Sequence, residues 1–158
     1  RECRATEVPG VHYNFVSVED FHRMVEAGEM LEWARVYDNF YGVPRKAVRD
    51  ALATGRDVVV KVDVQGAATI RRTVPGAVLV FIRPPSMQEL ERRLRSRHSE
   101  TSEALAVRLG KAADEYRQLP IFDYVVTSYP GRIDDVVNQI QSIVTAEKCR
   151  VEPRRVDI

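Results

Sequence analysis

Cysteine is nearly missing from this chain: Cys3 and Cys149 stand alone, at opposite ends of 158 residues. That excludes a disulfide-stapled scaffold, and no His/Cys spacing suits a zinc site. Two free thiols fit a reducing, cytoplasmic compartment. A basic surplus is missing too, because 24 Lys plus Arg face 23 Asp plus Glu, for a net charge of +1. A dedicated nucleic-acid binder carries a marked positive excess, so the near balance argues against that class and leaves RNA binding through "RRLRSR" a remote third reading. The longest purely apolar run, "AVLVFI" (77–82), is far short of a bilayer span. No signal-peptide or lipidation pattern is present. A phosphate-binding loop of the form G-x-x-x-x-G-K-[ST] is lacking as well. The lone Gly-Lys pair, Gly110–Lys111, precedes Ala112 and has Leu105 where the first glycine must stand. What remains, at 44% hydrophobic and 30% charged residues, suits one globular domain with a sizeable core.

The residues that are present alternate in texture. "VHYNFV" (11–16) has strand composition. Ser17 opens a helix with a capping-box pattern to Asp20, and Gly28 closes it. "MLEWARVY" (30–37) alternates as a strand, "DN" turns, and "FYGV" continues as a second strand. Pro44 suits the first turn of a helix that stops at Gly55. Beyond it, "DVVVKVDV" (57–64), "AVLVFI" and "YVVTS" (124–128) read as buried strands of a parallel sheet, covered on both faces. Helices are expected over "QGAATIRR", from Ser86 to Arg97 with a second capping box to Glu89, from about Ser102 to Gln118, and over 133–148. A small β-rich piece followed by alternating strands and helices implies an α/β layered fold. In such folds ligands bind at the carboxyl ends of strands.

Four groups of residues could carry chemistry there. Arg1 and Arg4 can present guanidinium forks to one phosphate, with Tyr13 and Tyr41 as hydroxyl donors, or be exposed basic residues at a frayed end. Glu32 and Trp33 alternate on a strand, so one of them points inward. An inward carboxylate matches the N1–H and N2–H2 edge of guanine, which adenine lacks, whereas an outward one is simply solvated. Asp63 ends an apolar strand before a Gln-Gly turn, where an acid meets substrate, caps the next helix, or does both. Arg92, Arg93, Arg95 and Arg97 crowd "RRLRSR". Glu89 and Glu91 are placed to pair with Arg93 and Arg95 as a salt-bridged surface, or Arg93 and Arg97 can join Arg108 of the next helix as a mobile lid over polyphosphate.

In order, these stretches resemble the guanylate kinase family, essentially without gaps from Arg1 to about Lys148. Arg1, Arg4, Glu7, Gly10 and Tyr13 fall in register with the family's GMP-phosphate motif, Arg-x-x-Arg-x-x-Glu-x-x-Gly and a tyrosine. "MLEWARVYDNFYGV" is similar to "FLEWAEVHGNYYGT", "VDVQGA" to "IDVQGA", and "PPSMQELERRLRSR" to the family's entry into its lid. The resemblance implies an α/β fold of the P-loop nucleoside monophosphate kinase type: a parallel-sheet core, a small β-rich GMP-binding domain and a helical lid. It implies boundaries at 1–55 for the GMP-binding domain, 56–92 and 108–150 for the core, 93–107 for the lid and 151–158 for a tail. Arg1, Arg4, Tyr13 and Tyr41 would hold the GMP phosphate, Glu32 and Asp63 would serve the guanine side, and Arg93, Arg97 and Arg108 would neutralise the transferring phosphoryl group. The implied reaction is ATP + GMP to ADP + GDP, with Mg²⁺ accompanying ATP. No nucleic acid and no membrane is implied.

Four departures qualify the resemblance. The P-loop is absent from these residues, so a strand, loop and helix of roughly thirty residues is expected upstream; these residues alone are expected to be inactive. Val43 stands where a Thr or Ser hydroxyl usually helps read guanine O6. Lys61 occupies a position commonly acidic, and Ser128–Tyr129 replace a usual Asn-Asp. A rival expectation follows from the same departures: an interaction domain of this fold that has lost phosphoryl transfer and recognises phosphorylated or acidic peptides.

Overall fold

The computed structural model describes residues 3, 6–36, 38–96 and 102–158. Two compact units emerge, one running to Val74 and the other from Pro75 to Asp157. The first contains α1 (Val18–Glu26), β1 (Met30–Val36), β2 (Asn39–Pro44), α2 (Arg45–Ala53) and α3 (Val64–Thr73). The second contains β3 (Val80–Arg83), α4 (Met87–Arg95), α5 (Ser102–Arg117), a single 3₁₀ turn (Leu119–Ile121), β4 (Tyr124–Thr127) and α6 (Ile133–Lys148).

In the first unit the frame is an antiparallel hairpin, β1 paired with β2, with Glu32 opposite Val43, Trp33 opposite Gly42 and Ala34 opposite Tyr41. Side chains alternate across a strand, so Glu32 and Trp33 face opposite ways. The Trp33 face is closed by α1, where Phe21 stacks on Phe40 at 5.5 Å between ring centres and meets Trp33 edge-on at 6.3 Å. Helix α1 starts as expected: Ser17 accepts the amide of Asp20 at 3.0 Å, and Gly28 turns the chain with φ of 69°. Gly42 has no side chain because one would press on Met30 Sδ at 3.1 Å and on the Phe21 ring at 3.3 Å. The Glu32 face looks the other way, and α3 packs against β1.

In the second unit β3 and β4 pair in parallel, Val80 beside Tyr124 through Arg83 beside Thr127. A parallel pair needs a long crossover, which α4, α5 and the 3₁₀ turn supply. The entry to β4 is stitched to β3 by Asp123, whose carboxylate accepts the Leu79 amide at 2.8 Å. Residues after α6 are held as well. Arg154 donates to Glu147 Oε2 at 2.9 Å and to Asp123 Oδ1 at 3.3 Å, and Glu147 also accepts the Tyr124 hydroxyl at 2.7 Å. The backbone at Arg155 presses on Gly76 so closely that no side chain fits there.

Several sequence expectations are corrected. Residues 11–16 form no strand; a turn at Pro9–Gly10, with Gly10 at φ 78°, leaves only an isolated bridge between Pro9 and Tyr13. Residues 57–63 have strand composition but no ladder partner among the described residues, and Val59 is 85% exposed. Apolar β-branched residues favour extended backbone, yet a strand exists only where a neighbour takes its amides and carbonyls. Of the three expected parallel strands two are paired, and they are not covered on both faces, since Ile82 and Val125 are exposed. Pro44 precedes α2 rather than entering it and stays paired with Met30. Helix α6 lies where the periodicity puts it, and among the described residues no helix is long and apolar enough to cross a membrane.

Phe21 joins α1 to the hairpin, so Phe21→Ala is expected to destabilise the first unit by about 3–5 kcal/mol, read as a lower urea midpoint in circular dichroism.

Candidate functional site

The Glu32 side of the hairpin gathers polar groups that an apolar core would reject. Glu32 is 5% exposed and is the sole buried charged side chain among the described residues. Burial in a low-dielectric setting disfavours its anion, and the nearby Asp63 carboxylate adds like-charge repulsion. Together they raise its pKa from 4.5 to about 7, burial being the larger cause. Asp63 precedes α3 and caps it, accepting the Gly66 amide at 2.9 Å. The expectation that Asp63 caps a helix is met, and the capped helix end lies against Glu32.

Tyr41 and Val43 are two residues apart on β2 and pair with Ala34 and Glu32, so they share the Glu32 face. The Tyr13 ring meets Tyr41 edge-on at 6.2 Å. Tyr13, Glu32, Tyr41 and Asp63, four residues singled out in the sequence, therefore fall in one unit on one side of one hairpin. The resulting wall has a buried acceptor in Glu32, an apolar neighbour in Val43, and phenol hydroxyls farther along. Arg1 and Arg4 lie outside the described residues.

The second unit carries a cationic cluster. Glu89, in the first turn of α4, accepts Arg92 Nε at 2.7 Å through Oε2 and Arg93 Nε at 2.7 Å through Oε1. The bonds from Arg92 and then Arg93 hold its carboxyl at about 2. Arg93 also reaches the residue that follows β4, donating to the Ser128 carbonyl at 2.7 Å. Arg92 and Arg93, with Ser128, Tyr129, Pro130, Gly131 and Ile133, line an open cleft of about 380 Å³. Arg95 pairs with Glu91, as the spacing suggested. Arg108 lies half-buried on α5, which packs against α4, while Arg97 lies outside the described residues.

Sequence reasoning missed two features. Glu89 binds two arginines rather than one. Gly66, inside the first turn of α3, lies against the Glu32 carboxylate, where a Cβ would clash with it. A glycine within a helical pattern costs about 1 kcal/mol relative to alanine and so signals a packing reason, but which partner it serves is not readable from spacing.

Among the described residues no group of three or more His, Cys, Asp or Glu side chains is placed to hold a metal ion. Asp63 is engaged as a cap and Lys61 stands two residues before it. These residues do not make an all-protein Mg²⁺ site.

Comparison with known proteins follows the same lines. The family model described as guanylate kinase matches residues 1–147. A guanylate kinase of Carboxydothermus hydrogenoformans is 40% identical over 157 residues, covering 99% of this chain and 75% of the relative. Guanylate kinase 2, chloroplastic/mitochondrial, of Oryza sativa subsp. japonica is 42% identical, over 100% of this chain and 56% of its own length. The crystal structure of guanylate kinase from Anaplasma phagocytophilum superposes with a TM-score of 0.78 at 35% identity, covering 96% of this chain and 73% of that one.

A buried group whose folded pKa is raised stabilises the fold below its unfolded value and loses that contribution as pH rises through the folded value. For Glu32 the window runs from 4.5 to about 7. Glu32→Gln is therefore expected to stabilise the ligand-free protein at pH 8 by about 1–3 kcal/mol and to change little at pH 4.5. Thermal unfolding at the two pH values checks this.

Proposed function

The chain belongs to the guanylate kinase family, and we propose that its first unit binds GMP, with Glu32 reading the base, for phosphorylation by ATP. The observation that carries this reading is the buried Glu32 carboxylate. An acid kept from water against its own stability is expected where a ligand supplies the missing donors. Guanine supplies two, N1–H and N2–H2, in the paired geometry that a carboxylate accepts, and adenine offers no such edge. Asp63 lies near Glu32 and serves the same side of the nucleotide. Tyr13 and Tyr41 hold the phosphate end together with Arg1 and Arg4.

In the reaction a GMP phosphate oxygen attacks the γ-phosphorus of ATP, the bond to the β,γ-bridging oxygen breaks, and ADP leaves. No covalent protein intermediate is needed, because such transfers rest on alignment and on charge placed around the equatorial oxygens. Arg93, Arg97 and Arg108 are assigned that charge. Arg93 is held by Glu89 and the Ser128 carbonyl, so it meets phosphate from a fixed position. Mg²⁺ belongs to the reaction as part of the MgATP substrate, held chiefly by phosphate and water oxygens. Exposed, unbridged Cys3 and Cys149 fit a cytoplasmic location. The rival reading, a peptide-binding domain of this fold, gives the buried Glu32 no use.

Titration calorimetry with GMP tests the assignment. Glu32→Gln should weaken GMP binding at least about tenfold, as expected for a lost bidentate base contact, and leave AMP binding as weak as before. Unchanged GMP affinity would remove Glu32 from base recognition. GMP binding favours the Glu32 anion, so proton release is expected near pH 7, with affinity falling toward pH 6. Val43→Thr places a hydroxyl beside Glu32 and should tighten GMP binding about fivefold, the value of one neutral hydrogen bond.

A further inference from the structure

Gly66 is buried in the first turn of α3, and an added Cβ would lie 2.5 Å from Glu32 Oε1, 2.6 Å from Glu32 Cδ and 2.9 Å from Val62 Cβ. All three distances are shorter than carbon contacts permit. The carboxylate is the free end of a flexible side chain and can swing away. Val62 Cβ is tied to backbone and cannot. The amide of this same glycine is the donor that Asp63 accepts at 2.9 Å. One residue thus makes the space for the first acid and fixes the second.

We propose that Gly66 is a positioning residue for base recognition: its missing side chain forms the seat of the Glu32 carboxylate, and its amide ties that seat to Asp63. Gly66 does not touch the nucleotide; it sets where Glu32 sits, to within the few tenths of an ångström that a bidentate contact tolerates. An added methyl here turns Glu32 out of register with a purine edge, and shifts the start of α3 only by what the Val62 contact demands. The inference rests on Glu32 reading the guanine edge.

The test is Gly66→Ala, with GMP and IMP as calorimetric probes. IMP keeps N1–H and lacks the 2-amino group, so the ratio of the two affinities measures how well the carboxylate spans both donors. Gly66→Ala should weaken GMP roughly tenfold, weaken IMP by less, and collapse the ratio toward one. Equal loss for both nucleotides, or no loss, overturns the proposal, because damage to α3 alone does not discriminate between them.

Should Gly66→Ala destabilise the fold enough to blur the binding comparison, a double-mutant cycle read by thermal denaturation from low temperature decides. The melting-temperature drop from Gly66→Ala should be smaller in a Glu32→Ala background, leaving only the Val62 share. An equal drop in both backgrounds overturns the seat. Glu32→Asp shortens the side chain by one methylene and should restore part of the melting temperature lost by Gly66→Ala; no recovery overturns the proposal. Glu32→Gln separates the two readings. If it leaves GMP affinity unchanged, base reading by Glu32 fails while the cycle still judges the seat. If it weakens GMP and Gly66→Ala does not, the seat alone fails.

Discussion

A single carboxylate held out of water organises the first unit. Glu32 lies between a β-strand and the start of a helix, with a second acid beside it and no cation on its described contacts. Burying a carboxylate without a counter-charge is among the costlier things a fold can do. The surroundings answer by raising its proton affinity rather than by pairing it. The neighbouring features make sense as consequences: Gly66 is small because the carboxylate needs the room, and Asp63 is turned into a cap, which gives its oxygens a backbone donor.

The hairpin that carries Glu32 keeps two incompatible environments apart by the thickness of one strand. On one face Phe21, Trp33 and Phe40 form an aromatic cluster that binds α1 and gives the unit its apolar stability. On the other, Glu32, Tyr41 and Val43 form a wall whose polarity no core would tolerate. The period of two in a β-strand makes this separation possible with adjacent residues. In the second unit, α4 uses the same economy along a helix: Glu89 draws two arginines together, and one of them continues to the carbonyl of Ser128.

Much of this was legible in the sequence where local chemistry decides the outcome. Ser17 and Ser86 mark helix starts because a hydroxyl two or three residues ahead of free amides has one good use. Glu32 and Trp33 had to face opposite ways, and Asp63 before a helical run had to be a candidate cap. The rest depends on pairing or three-dimensional proximity, which local chemistry does not encode. Residues 57–63 have all the composition of a strand and make no ladder, since composition favours extension and only a neighbour makes a sheet. Gly66 looked like a turn glycine because nothing in its spacing names Glu32, thirty-four residues earlier, as its neighbour. The roles proposed for Tyr13, Tyr41 and Glu32 rest on the likeness to guanylate kinases taken together with their shared face, which no one of them conveys alone.

Trp33 is the chain's one tryptophan, one residue from Glu32 and on the opposite face of β1. Trp33 is 44% exposed, and its ring meets Phe21 and Phe40. Light absorbed at wavelengths that spare tyrosine therefore excites a single fluorophore, shielded by its own strand from whatever occupies the Glu32 side. Its emission therefore senses the packing of the hairpin against α1, an internal gauge that needs no added dye.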